Sequence, residues 1–289
     1  MIQWYPGHMA KAKKEIQEKL KLVDIVFELL DARIPFSSQN PEFQKIFEKS
    51  KRLIIITKAE MADPIQTKKW QLHFKKQGID SIVVDALSGA NVKNIVSASK
   101  EVLKEKLAHD LERGLKIRAI RAMVVGIPNV GKSTLINKLS GRQAALAANR
   151  PGVTKAQQWI RINKDLDLLD TPGVLWPKFE SIEQSYHLAL TGAIKDNVVH
   201  KDDMILYFLD FLKEHYPSCL VERYNVSLDN TNLEILDIIG KNRGFIKSNE
   251  VDYEKVYETI LTDFRLLRLG RITLDYEWYW YVFIWKEIS

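Results

Sequence analysis

The chain has 289 residues, 46% of them hydrophobic and 28% charged, with a formal net charge of +6. That length can bury a sizeable core and predicts two domains. No apolar run approaches the roughly 18 residues of a membrane span. The N-terminus also lacks the apolar core of a secretion signal, so a cytoplasmic protein with no membrane partner is expected. The single cysteine, Cys219, excludes an internal disulfide and a cysteine-built metal site. The positive surplus leans toward polyanions such as nucleic acid, although spare surface lysines account for it equally well.

In chain order, residues 8–22, HMAKAKKEIQEKLKL, predict a lysine-rich helix with Ile16 and Leu20 on one face. RLIIITKAEMAD predicts a buried strand over 53–56 and then a loop carrying Thr57, Lys58, Ala59 and Glu60. SIVVDALSGANV predicts a further strand followed by Ala86, Leu87 and Ser88. A helix and linker, with Gly114 as a stop, lead into the short strand RAMVV at 121–125.

Immediately after that strand stands G-x-x-x-x-G-K-[ST], as Gly126, Gly131, Lys132 and Ser133. STLINKLSG then predicts a helix with Leu135, Ile136 and Leu139 apolar and Gly141 closing it. Strand, glycine loop and helix are the context that a phosphate-binding loop requires. The glycines let backbone N–H groups approach phosphates, and the helix N-terminus adds partial positive charge. The expected cradle is Asn129, Val130, Gly131, Lys132, Ser133 and Thr134, with Lys132 reaching the β- and γ-phosphates and Ser133 ligating Mg²⁺.

Two further pieces follow. NRPGVT holds Thr154, a candidate to complete Mg²⁺ coordination; the plain alternative is a Pro-Gly turn with an incidental threonine. DLDLLDTPG predicts a strand with Leu166, Leu168 and Leu169 that delivers Asp170 to its end. There Asp170 would hold Mg²⁺ through water, and Gly173 would offer its N–H to the γ-phosphate.

Beyond residue 180 helices are predicted at about 183–195, 203–215, 231–240 (closed by Gly240) and 252–269 (closed by Gly270). Val256, Ile260, Phe264 and Leu267 form an apolar stripe on the last, a core feature. Lys241, Arg243, Lys247, Arg265, Arg268 and Arg271 supply positive charge suited to phosphate contact without sequence preference. In the final stretch, seven of the ten residues from Tyr276 to Trp285 are aromatic. A docked strand and a base-stacking platform both fit that composition.

GTPases read guanine with N-K-x-D, downstream of the phosphate loop. No such motif follows Gly173; the candidate is Thr57-Lys58-Ala59-Glu60, upstream, with Ala86 and Leu87 as the second base loop. The usual order is therefore cut and rejoined. A parallel doubly wound sheet tolerates this, because neighbours in space need not be neighbours in sequence. The predicted fold is α/β: a circularly permuted doubly wound P-loop GTPase domain over 1–178, a smaller all-helical domain over 179–275, and an aromatic tail over 276–289.

Several stretches carry a resemblance: IQWYPGHMAKA, LLDARIPFSSQNP, VGIPNVGKSTLINKL at 125–139, RPGVTKAQQW, LLDTPGVLWPKFE, LTGAIKD and EHYP. Together they resemble the circularly permuted GTPases of the YlqF type, also called ribosome biogenesis GTPase A, over residues 2 to about 217. The resemblance implies GTP hydrolysis on an assembling large ribosomal subunit, contact with its rRNA through the helical domain, and a monomer off the ribosome. It also implies Mg²⁺, and K⁺ bound with help from Asn129. Val174 follows Gly173 where small GTPases place a water-orienting glutamine, and the resemblance assigns that task to His8 in PGHM. One departure stands out, T-K-A-E in place of N-K-x-D. Its longer glutamate lowers guanine affinity or selectivity by about 1–2 kcal/mol if the loop does not yield. The rival readings are an RNA-binding scaffold with little nucleotide affinity, a P-loop ATPase, and a signalling switch that needs an activating protein.

Overall fold

The computed structural model describes residues 14–116, 118–141, 159–170 and 181–276. His8, Thr154, Gly173, Val174 and the tail from 277 onward lie outside the described residues. The described chain forms two compact units. One is built from residues 14–170 and rejoined by Asp275 and Tyr276; the other runs from 181 to Leu274.

The first unit is a six-stranded sheet: β1 (Ile25–Asp31), β2 (Arg52–Thr57), β3 (Asp80–Val83), β4 (Ile120–Gly126), β5 (Trp159–Arg161) and β6 (Leu166–Asp170). Its spatial order is β3-β2-β1-β4-β6-β5, with β5 antiparallel to β6 and every other pairing parallel. The helices are α1 (residues 14–20 as described), α2 (Pro41–Phe47), α3 (Pro64–Lys76), α4 (Asn94–Val102), α5 (Lys104–Glu112) and α6 (Lys132–Ser140).

Strand β1, IVFELLD, is buried along its whole length, as expected of a central strand covered on both faces. Register places Val26, Glu28 and Leu30 on the face shared with Ile54, Ile56, Met123 and Val125. On that face Ile16 of α1 and Phe43 and Phe47 of α2 pack around Val26 and Met123. Trp70 and Phe74 of α3 pack around Leu30 and Ile56. The opposite face has α4 against β2 and α6 against β4. Glu28 is a charged residue inside this layer; its Oε2 accepts from Arg52 Nη1 at 3.0 Å. Burial raises the Glu28 pKa, and Arg52 offsets only part of that rise.

Helix starts follow the side chains that precede them. Asn40 caps α2 through Glu42 N–H, and Asp63 caps α3 through the Ile65 and Gln66 amides; a proline follows each cap.

The second unit holds α7 (Ile182–Leu190), α8 (Lys201–His215), α9 (Pro217–Tyr224), α10 (Asn232–Asn242) and α11 (Tyr253–Arg265). It is not all-helical: β7 (Ile246–Lys247) and β8 (Glu250–Val251) form a hairpin. Ser248 and Asn249 turn it at φ 52° and 67°, the two positive angles of a tight hairpin turn. This hairpin explains Gly240. The glycine does not close α10 but lies inside it, and a Cβ there would stand 2.4 Å from Val251 Cγ1. Val256, Ile260 and Phe264 are buried as the stripe predicts, whereas Leu267 lies past the helix end at φ 59° and is partly exposed. Arg265 donates to the Ala189 and Leu190 carbonyls and pairs with Asp196, so it is a structural cation.

Asp275 rejoins the first unit through a buried clasp. Its carboxylate accepts from Ser37 N–H at 2.6 Å and Ser37 Oγ at 2.8 Å, and its carbonyl accepts from Trp70 Nε1 at 2.9 Å. Asp275→Ala leaves two buried Ser37 donors unanswered and should lower stability by about 2–3 kcal/mol in urea unfolding. A loss under about 0.5 kcal/mol would show that the clasp is incidental.

Candidate nucleotide site

The parallel strands all point the same way, so the loops after β3, β2, β1 and β4 and the end of β6 at Asp170 line one edge of the sheet in that order. This edge gathers the separated motifs: second base loop, first base loop, phosphate loop and Asp170. Ligands of open α/β sheets bind at such an edge.

Loop 127–131 joins β4 to α6. Gly126 has no room for a side chain: a Cβ would lie 2.9 Å from the Leu29 carbonyl oxygen and 3.0 Å from Val130 Cγ1. Gly131, at φ 101°, turns the chain into the helix. Between them Asn129 is exposed in the left-handed region at φ 57°, and Val130 is buried. Lys132, Ser133 and Thr134 form the first turn of α6, where backbone N–H groups have no partner within the helix. Leu135 and Ile136 bury the face that anchors it.

The first base loop is placed from behind. Thr57, expected to face the base, is fully buried. Its hydroxyl lies 2.6 Å from the Val130 carbonyl and 3.0 Å from the Leu30 carbonyl, so it ties the base loop to the phosphate loop. A hydroxyl can fill this post because the post needs one donor and a short reach. Lys58 follows in the left-handed conformation at φ 56°, with Nζ 2.9 Å from Asp31 Oδ2. Asp31 itself, at the end of β1, also receives Arg33 through Nε at 3.0 Å and Nη2 at 2.7 Å. Burial alone would raise the Asp31 pKa. The charges of Arg33 and Lys58 outweigh it and hold the carboxyl far below the usual range.

Glu60 sits in the short 3-10 turn Ala59–Met61. Its Oε2 is buried and has no hydrogen-bond partner among the described residues. Burial raises its pKa; its own backbone amide opposes that rise, the negative charges of Asp85 and Asp31 add to it, and Lys58 offsets a little. Asp85 opens the second base loop, and its Oδ1 accepts from the Leu87 and Ser88 amides at 2.8 and 3.0 Å. Those bonds outweigh burial and lower its own pKa. Of the amides from Val84 to Ala90, only that of Ala86 makes no hydrogen bond among the described residues. Leu87, by contrast, spends its N–H on Asp85 and its carbonyl on Lys138 Nζ, and its side chain is 70% exposed. An orphaned carboxylate oxygen and an undonated amide are the complements of a base edge carrying N–H groups beside a carbonyl.

Asp170 ends β6 paired with Val124, one strand over from the chain that enters the phosphate loop. The Ser133 hydroxyl, in the first turn of α6, is a hard oxygen donor of the kind Mg²⁺ takes beside phosphates.

Sheet, phosphate loop and displaced base loops define a circularly permuted P-loop GTPase. The family described as 50S ribosome-binding GTPase matches residues 121–239. The chain is 50% identical over 277 residues to ribosome biogenesis GTPase A of Priestia megaterium, covering 95% of this chain and 96% of that one. To the Bacillus pumilus protein of that name it is 47% identical, covering 95% and 98%. The crystal structure of GNP-bound YlqF from T. maritima superposes with a TM-score of 0.66 at 26% identity, covering 92% of this chain and 98% of that one. The chain belongs to the ribosome biogenesis GTPase A family, and it is a GTP hydrolase.

Three partners in this site were not singled out from sequence: Asp31 with Arg33, Asp85, and Ser37 with Asp275. For the first, the readable signal is an aspartate ending an apolar run, two residues before an arginine. Asp31→Asn removes the counter-charge of Arg33, which is only 2% exposed. It should cost about 3–5 kcal/mol in urea unfolding, the scale of a broken buried ion pair. A cost below about 1 kcal/mol would mean that Lys58 and Arg33 are held by other groups.

Proposed function

We propose that the chain hydrolyses GTP on an assembling large ribosomal subunit, contacts its rRNA, and couples hydrolysis to maturation or release. The carrying observation is the single sheet edge on which base loops, phosphate loop and Asp170 converge despite their order in the chain. In this reading Glu60 accepts the guanine N–H groups, and the Ala86 amide donates to its carbonyl oxygen. Thr57 and Lys58 hold that loop in place. The amides of 129–134 and Lys132 cradle the phosphates, with Gly173 meeting the γ-phosphate.

Ser133, Thr154 and Asp170 would hold Mg²⁺, which when bound neutralises charge on the phosphate oxygens. Asn129, exposed at its left-handed turn, would help hold K⁺. His8 orients the water whose oxygen bonds to the γ-phosphorus as the bond to the bridging oxygen breaks. GDP leaves, and the phosphate carries away the proton. A neutral imidazole suits that role, and Val174 cannot take it.

The first test is GTP turnover in K⁺ and Mg²⁺, with and without purified large subunits. Stimulation by the subunit is expected, and His8→Ala should keep GTP affinity while slowing turnover by about 10²–10⁴-fold. An unchanged rate in that variant would remove His8 from the mechanism. No turnover in either condition would favour the RNA-binding scaffold, with Glu60 the first suspect.

A second test uses acid. Guanine requires Glu60 as the carboxylate, and the pKa of Glu60 is raised. GDP affinity should therefore weaken as pH falls from 7 toward about 4.5. Asp85→Asn keeps an acceptor for the Leu87 and Ser88 amides but removes one of the charges that raise Glu60. It should shift the acid limb to lower pH, and a flat profile in the parent protein would take Glu60 off the base.

A further inference from the structure

The helical unit contains an ionic cluster that does not balance. Asp263 of α11 is completely buried, yet three guanidinium groups converge on it. Arg223 bonds it through Nε at 2.8 Å and Nη2 at 2.9 Å, and Arg268 through Nη1 at 3.1 Å. Arg243 pairs at 3.5 Å. Tyr224 adds a neutral hydroxyl donor at 3.2 Å. Burial alone would raise the Asp263 pKa, but the bonds from Arg223 and Arg268 outweigh it, so the carboxyl stays ionised. Three cations thus share one anion, leaving a local surplus of two positive charges.

That surplus faces outward. The Arg243 and Arg268 side chains are 35% and 48% exposed, and both line a cleft of about 330 Å³ together with Phe245, Lys255, Glu258 and Thr262. Of the remaining charges there, Lys255 is answered by Asp252 at 3.5 Å, and Glu258 shares Lys201, at 3.8 Å, with Glu254 at 2.9 Å, so the two arginines outnumber the one partly answered carboxylate. Asp263 therefore acts as a buried peg that fixes two arginines with unused N–H groups at the mouth of a cleft. Fixed guanidinium groups suit phosphate, because the fork is ordered before the ligand arrives. Phe245 contributes a half-buried ring beside them, the kind of surface on which an unpaired base stacks.

We infer that this cleft, between the end of α10, the start of the hairpin and α11, binds one phosphate and its adjoining unpaired base of single-stranded RNA. The inference rests on the proposed contact with rRNA and adds where and in what form that contact is made. Arg243 and Arg268 take the phosphate oxygens, Phe245 takes the base, and Asp263 positions the arginines without touching RNA.

The test is equilibrium binding of a fluorescent single-stranded oligoribonucleotide to the full chain across a salt series. In Arg243→Ala/Arg268→Ala, affinity should fall at least about tenfold. The slope of log affinity against log salt should shrink by about 0.7, the value for one phosphate charge on a single strand. Asp263 keeps Arg223 and Tyr224 in that variant, and thermal melting checks its fold. Phe245→Ala lies outside the ionic cluster and tests the same cleft if the arginine variant fails to fold; it should weaken RNA binding about tenfold with the salt slope unchanged. Both variants should bind GDP as the parent does. Lys68→Ala/Lys69→Ala, on exposed positions of α3, is the control for loss of charge elsewhere. Parent-like affinity in both the arginine and Phe245 variants, or an equal loss in the lysine control, overturns the cleft while leaving RNA binding intact. A parent protein that binds no RNA overturns the rRNA reading and the cleft with it.

Discussion

A buried aspartate at the end of the central strand organises the nucleotide site. Asp31 draws Arg33 back against the strand it has just left and draws Lys58 across from the neighbouring strand. With Lys58 held, the chain adopts the left-handed turn that sets Glu60 in its short helix. Next to it the Thr57 hydroxyl reaches the Val130 carbonyl, so the base-reading and phosphate-reading loops share one support. Ser38 adds its hydroxyl to the Asp31 amide, and Ser37 answers to Asp275. Specificity for a base needs its reader fixed relative to the phosphates, and this largely buried chain of polar contacts supplies that fixity.

The displaced motif order is made harmless by the geometry of a parallel sheet. Each parallel strand ends at the same edge, whatever its rank in the chain. The permutation does change what each loop is connected to. Among the described strands, the one that ends in Asp170 is here the last of the sheet in chain order, and twelve residues later the chain enters α7. The base loops come first and are wholly enclosed between sheet strands. The segment expected to sense the γ-phosphate is thus the one that leads out of the sheet, and the segment expected to hold the base is the one most embedded in it.

How much of this was legible in the sequence depended on how local its causes are. The phosphate loop, its flanking strand and helix, and the strand before Asp170 were readable, because fixed spacing and short-range periodicity define them. The tie made by position 57 is not legible, because its partner, Val130, is 73 residues away, and nothing local says that a threonine there is buried rather than exposed. The central strand was recognised only as part of a family-like stretch; its buried Glu28 interrupts the apolar run, and the Arg52 that pairs with it lies on another strand. Gly240 reads locally as a helix stop, since the hairpin whose Val251 needs that space is visible only once the chain has folded back. Helix α9 escaped notice because it is short and begins at Pro217, directly after α8.

The clasp at Asp275 bears on how the protein can be divided. In chain order the helical unit looks like a C-terminal appendage that could be cut away after residue 180. It is instead an insertion between Asp170 and Asp275, two points of the same unit. A truncation that removes everything after 180 also strips the acceptors from Ser37 and Trp70, in the loop and helix that stand behind the base-reading turn. Impaired nucleotide binding in such a fragment would then report the missing aspartate and not a contribution of the helices. A faithful dissection would excise 181–274 and bridge the gap with a flexible linker, leaving the last strand of the sheet and the clasp on one chain.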